Sequence, residues 1–131
     1  MGRIEALSKN RAPVYLRGAE EFAQQMDVAA SSRAWNAVGL LGVHSVISSC
    51  DGLTVGLAGQ RWSGQDHAGI RGMVQSLKLP HSEVALRHIG DVLDQKNQVE
   101  YEARDFSEKE AEEVRKKARR ILIWVKECLA T

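Results

Sequence analysis

Aromatic residues, prolines and cysteines are scarce in this sequence of 131 residues. Phe, Trp and Tyr together make up 5% of the chain, which has two prolines and two cysteines. Because Cys50 and Cys128 lie far apart and form no Cys-x-x-Cys pair, a disulfide scaffold of the secreted kind and a two-cysteine redox motif are excluded. We therefore expect reduced thiols in a cytoplasmic protein, with Cys50 buried and inert.

An excess of charge of one sign and long apolar runs are also missing. The net charge is +1 although 27% of the residues are charged, so the molecule as a whole has no field that would attract a polyanion. Nucleic-acid contact would have to come from a local patch. The N-terminal 15 residues lack the apolar run of a signal peptide, and no run is long enough to cross a bilayer. We expect a soluble protein with no membrane partner.

Strand signals are missing too, since alternating β-branched and aromatic residues and Asn-Gly turns do not occur. Apolar residues recur instead at helical spacing. We predict helices at about 12–29, 33–57, 66–79, 82–104 and from 108 onward, with a loop at 59–64. The predicted fold class is all-α, an up-and-down four-helix bundle with a short additional helix. A single domain should span residues 1–131, with residues 1–10 poorly ordered.

The predicted second helix carries many small residues. They are Gly39, Gly42, Ser45, Ser48, Ser49, Gly52 and Gly56. Each glycine costs a helix up to about 1 kcal/mol relative to alanine. We expect this cost to be offset by the close approach of another helix or of a second subunit.

The predicted last helix has the clearest start, since Ser107 and Glu110 form a capping box. Before it, Lys96 and Glu100 interrupt an apolar stripe of the fourth helix that includes Ile89 and Val92. A charge that leaves water costs several kcal/mol unless it is paired. Lys96 should therefore pair with Glu100, pair with a residue of another helix, or line a wet cleft.

Several segments taken in order resemble the HEPN domain family of bacterial and archaeal proteins over residues 13–126. They are YLRGAEEFAQQM, SSRAWNAVGLLGVHSVISSCDGLTV, GQDHAGIRGMV and LDQKNQVEYEARDFSEKEAEEVRKKARRILIWV. The most specific part pairs Lys-Asn-x-x-x-Tyr at 96–101 with Phe-Ser-x-x-Glu-Ala at 106–111. The resemblance implies a HEPN-like bundle and a homodimer, formed along the small-residue helix or at a cleft that holds Lys96 and Tyr101.

The resemblance also implies a site. In the ribonuclease members an Arg, a polar residue and a His form the active motif, and the matching positions here are Lys96, Asn97 and Tyr101. Tyr, with an unperturbed pKa near 10, is a poor general base, and Lys lacks the bidentate fork of Arg. We therefore expect a non-catalytic domain that binds a nucleotide, RNA or a partner protein, as accessory to a nucleotidyltransferase or a toxin–antitoxin system. Lys96 would hold phosphate, and Asn97 and Tyr101 would contact base or sugar. The resemblance also points to Asp51, because the family often carries an acidic residue in the second half of its long helix; Asp51 would pair with Lys96 and orient it.

Two other functions stay open. One is a metal-independent endoribonuclease toxin with a degenerate motif, in which His67 is the candidate base. The other is a purely structural interaction module, which would bind no nucleotide.

A basic run in the last helix has two interpretations. It comprises Arg115, Lys116, Lys117, Arg119 and Arg120. It is either a solvated face, with Glu112 and Glu113 paired to Lys116 and Lys117, or a phosphate-contacting patch beside Trp124. Half-buried packing is the expected role of Trp124.

The four histidines do not have the spacing of zinc ligands, so we expect no metal and no cofactor. His44 should be a core or interface residue. Asp66 should cap or open the third helix, and the Asp66–His67 pair either packs there or fixes the His67 tautomer.

Overall fold

Five α-helices and a two-stranded sheet make up the part of the chain that the structure describes, residues 3–64 and 66–131 of a computed structural model. The helices are α1 (Ala12–Ser31), α2 (Trp35–Ala58), α3 (Ala68–Ser76), α4 (Glu83–Tyr101) and α5 (Glu108–Ala130). The strands are β1 (Ile4–Ala6) and β2 (Gln60–Trp62), and Lys9–Arg11 form a 3-10 turn. The domain is thus mostly helical, and the five predicted helices are present.

Helix α2 is the centre of the bundle. It contacts each of the other four helices, and Val38, Val43, Val46 and Leu53 are fully buried in the core. By length and composition α2 could cross a bilayer, yet most of its apolar stretch is buried inside the domain. It therefore has the character of a core helix, stabilised by burial of apolar surface on nearly every side.

The small residues of α2 let its neighbours come close. A Cβ atom on Gly42 would lie 2.6 Å from Val114 Cγ1 of α5, and one on Gly52 would lie 2.9 Å from Leu16 Cδ2 of α1. The Ser45 hydroxyl donates a hydrogen bond to the Ala19 carbonyl of α1 at 2.9 Å. The expected close approach of other helices is confirmed. Because α1 and α5 of the same chain occupy these positions, a second subunit cannot pack along them.

Local hydrogen bonds fix where the helices begin and end. The Ser107 hydroxyl accepts from the Glu110 N–H at 3.1 Å and the Glu110 carboxylate accepts from the Ser107 N–H at 3.0 Å, which confirms the capping box. Gly59 ends α2 in the left-handed region, with φ of 64°. The Asp66 carboxylate accepts from the Ala68 N–H at 2.9 Å, as predicted for the start of α3.

The prediction of a purely helical chain is wrong at the sheet. Strand β1 pairs antiparallel with β2, Ile4 opposite Trp62, so the predicted loop at 59–64 contains a strand. We expected residues 1–10 to be poorly ordered. In the structure, this segment contains β1 and the start of the 3-10 turn. Residues 1 and 2 lie outside the described residues. Strands of three residues are too short to show an alternating pattern, which is why no periodicity indicated them.

Two glycines with opposite surroundings can be compared directly. We expect Gly42→Ala to lower the free energy of unfolding by about 1–3 kcal/mol, because the new methyl group overlaps Val114. Gly72→Ala in α3 should raise it by up to about 1 kcal/mol, since no atom lies within 4 Å of its added Cβ. Urea unfolding followed by circular dichroism measures both. Equal effects of the two substitutions would contradict the close approach of α5.

Candidate functional site

Lys96 lies on the rim of a groove between α2 and the α4–α5 loop. Its Nζ atom is 2.7 Å from Glu100 Oε1 one turn later, and its side chain is only 19% exposed. This pair was one of the two predicted for Lys96 and is confirmed. We call the cavity, of about 210 Å³, the Lys96 groove; its lining residues are Asn36, Leu40, Lys96, Val99, Glu100, Arg104, Asp105 and Phe106. Its apolar surface comes from Leu40, Val99 and Phe106.

The loop that forms one wall of the Lys96 groove is held by polar contacts. Arg104 places Nη1 2.7 Å and Nη2 2.9 Å from the two Glu110 carboxylate oxygens, a bidentate pair that lowers the pKa of Glu110 to about 2. Asn36 donates to the Asp105 carboxylate at 2.9 Å and accepts from the Phe106 N–H at 2.7 Å. The wall is therefore tied to both α2 and α5.

Asn97 and Tyr101 do not join Lys96 in one cleft. Tyr101 is 92% exposed at the end of α4, and Asn97 lines a different surface depression, together with Arg71 and Arg87. The helix explains the separation, because at about 100° per residue Asn97 and Tyr101 share a face that points away from Lys96. Of the three motif positions, only Lys96 therefore lies in the Lys96 groove, and Asn97 and Tyr101 lie outside it.

The predicted pair between Asp51 and Lys96 is wrong. Asp51 is buried and its Oδ2 accepts from Arg61 Nε at 3.2 Å, while Arg61 Nη1 also reaches Glu5 at 3.1 Å. Burial raises the pKa of Asp51 to about 6, and the Arg61 charge only partly opposes this. Arg61 lies on β2, in the segment predicted as a loop. The one sequence signal for this ion pair was that a buried Asp51 carboxylate needs a cation as its partner.

His67 lies within the electrostatic reach of the Lys96–Glu100 pair. Burial and then the Lys96 charge lower the pKa of His67, and the Glu100 charge opposes them. Its Nδ1 atom is buried and has no hydrogen-bond partner among the described residues. Asp66 does not fix the tautomer, because its carboxylate caps α3 and its carbonyl accepts from Trp62 Nε1 at 2.6 Å. The capping role is confirmed.

The other histidine and cysteine predictions have mixed outcomes. His44 is exposed, with its ring 5.4 Å from the Phe22 ring, so the prediction of a core residue is wrong and the interface role remains a prediction. Cys50 is fully buried, as predicted, and burial raises the pKa of its thiol. Among residues 3–64 and 66–131, no three His, Cys, Asp or Glu side chains are grouped so that they could hold a metal ion.

The basic run of α5 is partly neutralised by ion pairs that the sequence did not predict. Asp27 of α1 accepts from Arg115 Nε at 2.9 Å and also pairs with Arg119. Lys117 reaches Asp91 of α4 at 3.2 Å, whereas Lys116 lies 3.9 Å from Glu113. The predicted i,i+4 pairs from Glu112 and Glu113 are thus wrong. These side chains leave a cavity of about 400 Å³, which we call the arginine groove; it is lined by Asp27, Glu112, Arg115, Lys116, Arg119 and Arg120.

Similarity to known proteins does not identify the occupant of either groove. Comparisons with protein-family models, curated proteins and solved structures give no match. The function of the two grooves is therefore inferred from their residues and geometry.

The Asp51 surroundings predict a dependence of stability on pH. Because the pKa of Asp51 is raised to about 6, the folded chain holds its proton more tightly than the unfolded chain, and the wild type loses this contribution as pH rises from about 4 to 6. Asn at this position does not titrate. The unfolding free energy of Asp51→Asn should therefore rise relative to wild type by up to about 3 kcal/mol between pH 4 and pH 7.

Urea unfolding across this pH range measures the difference, with Asp94→Asn as the same substitution at an exposed position. A constant difference between Asp51→Asn and wild type would contradict the buried, charged state of Asp51.

Proposed function

We propose that this chain is a non-catalytic HEPN-type binding domain that forms a homodimer through the Lys96 groove and the adjoining outer face of α2. The observation that carries the proposal is the arrangement of apolar and charged residues on this face. Leu40 is 49% exposed beside the partly buried ring of Phe106, and Lys96 and Glu100 form an ion pair at the rim. An apolar centre within a polar rim is the usual organisation of a protein interface.

The same features favour a protein surface over a phosphate as the occupant of the groove. Glu100 already neutralises the Lys96 charge at 2.7 Å, and the Arg104 guanidinium is engaged by Glu102 and Glu110. A phosphate entering here would have to displace carboxylates. The groove volume of about 210 Å³ fits one or two side chains better than a whole nucleotide, whose sites are usually larger.

The sequence resemblance to HEPN domains supports a dimer that forms near Lys96. It also supports a proposal about the biological system in which the chain acts. On that basis the chain would serve a nucleotidyltransferase partner or a toxin–antitoxin system in the cytoplasm. Substitution of the reactive motif positions by Lys96 and Tyr101, with Tyr101 directed to solvent, supports the non-catalytic form of the domain.

Self-association can be tested at one exposed apolar residue. We expect the wild-type chain to sediment as a dimer and Leu40→Glu to sediment as a monomer, because a carboxylate at the centre of the interface would lose water without a partner. Ile123→Glu is the matched control, since Ile123 is 58% exposed on α5 and lies outside the Lys96 groove. Monomeric wild type at high concentration, or a dimeric Leu40→Glu variant, would contradict the proposal.

A second candidate function is favoured by the position of His67. Burial and then the Lys96 charge lower its pKa, which favours the neutral ring that could accept a proton from an RNA 2′-hydroxyl. Lys96, whose charge acts on His67, would supply the cation for a phosphate at the same site. This arrangement supports the alternative of a metal-independent endoribonuclease.

The two functions separate in an RNA-cleavage assay. The binding-domain proposal predicts that purified protein leaves total RNA intact in the presence of a chelator. Cleavage that is lost in both His67→Ala and Lys96→Ala, but kept in Lys9→Ala at an exposed position outside both grooves, would replace the proposal with the ribonuclease.

A further inference from the structure

The polar face of α5 carries two cation columns that open into the arginine groove. Arg115 and Arg119 stand one turn apart, as do Lys116 and Arg120, and four residues of α-helix rise about 6 Å. All four cations line the groove, against the two carboxylates of its wall. The groove thus keeps an excess of positive charge although the molecule as a whole is nearly neutral.

The first column is held in a fixed orientation. Asp27 accepts from Arg115 Nε and pairs with the Arg119 Nη2 atom, which also donates to the Ala23 carbonyl at 3.3 Å. Each guanidinium has five N–H donors, so both retain donors that these contacts do not use. An arginine whose fork is already oriented loses less side-chain entropy when it binds a phosphate.

The second column is freer. Lys116 has only the distant Glu113 as a partner, and Arg120 forms no ion pair with any residue in the described part of the chain. Neither residue is needed to tie α5 to another helix. Their charges are therefore available to a ligand.

Arg120 also lines a second cavity, which therefore adjoins the arginine groove. This pocket of about 130 Å³ lies between α4 and α5 and has the rings of His81, His88 and Trp124 in its wall. Val84 stands in the same wall and is 51% exposed. We call this cavity between α4 and α5 the ring pocket. Its aromatic rings and largely apolar lining suit an unpaired base, which stacks on aromatic rings whatever its identity.

We propose that the arginine groove and the ring pocket together form a binding site for single-stranded nucleic acid, with Arg120 at their junction. Phosphates lie along the two cation columns, and a base enters the ring pocket beside Trp124. Alternation of a phosphate site with a base site is the pattern that a nucleotide chain presents and that an acidic peptide lacks. The site does not depend on the proposed homodimer, because it uses the α5 face and none of the residues of the Lys96 groove.

The phosphate half of the site is tested by fluorescence anisotropy with labelled oligouridylate and oligothymidylate, which distinguish ribose from deoxyribose. Binding of either strand should weaken with salt. Lys116→Gln with Arg120→Gln should reduce the slope of log affinity against log salt by about 1.4, since a single strand contributes roughly 0.7 per neutralised phosphate. The charge-matched control is Lys9→Gln with Arg11→Gln, at exposed positions near the start of α1. An unchanged slope, or an equal loss in the control, would overturn the proposal.

The base half of the site is tested with Val84→Glu, which places a carboxylate at the mouth of the ring pocket. Its control is Val14→Glu, at a position equally exposed, 51%, on α1. We expect Val84→Glu to weaken oligonucleotide binding about tenfold more than Val14→Glu, as loss of one stacked base would. Inorganic polyphosphate and polyglutamate should compete poorly. Competition by either at the level of the oligonucleotide would instead show a general polyanion or acidic-peptide surface and overturn the proposal.

Discussion

The close approach of α1 and α5 to α2 is the constraint on which the rest of the structure depends. Val114 of α5 lies 2.6 Å from the point where a Cβ of Gly42 would be, and Leu16 of α1 lies 2.9 Å from that of Gly52. A larger residue at either position would force the helices apart and expose the apolar face of α2. The outer strip of α2, with Leu40 and His44, is left uncovered on the opposite side. The position of the candidate interface is thus set by the way the buried side is filled.

The helices could be predicted because their signals are local. The Ser107–Glu110 capping box and the helical spacing of α5 lie within a few residues of each other, and Gly59 ends α2 by a rule that concerns one residue. The sheet could not be predicted in this way. Ile4 and Trp62 pair across almost half of the chain, and their strands are too short to show a period of two.

The contacts of the candidate site likewise divide into local contacts, which the sequence could predict, and contacts between elements, which it could not. Lys96 pairs with Glu100 one helical turn away, so the local alternative was the one that formed. Asp51 instead pairs with Arg61, and that contact exists only because β2 brings Arg61 back over α2. The pairing of Arg115 and Arg119 with Asp27 likewise depends on how α1 packs against α5. Contacts between different elements can be predicted only when the packing of those elements is known. Helical periodicity alone does not give that packing.

The role of α2 as the core helix on which α1 and α5 pack is tested most directly by amide hydrogen exchange. We predict that the amides of 42–55 exchange last, with a free energy equal to that of global unfolding, and that α3 exchanges through smaller local openings. Exchange of α2 as fast as that of α3 would contradict this role, because the helix that the others need for support would then open while they remain folded.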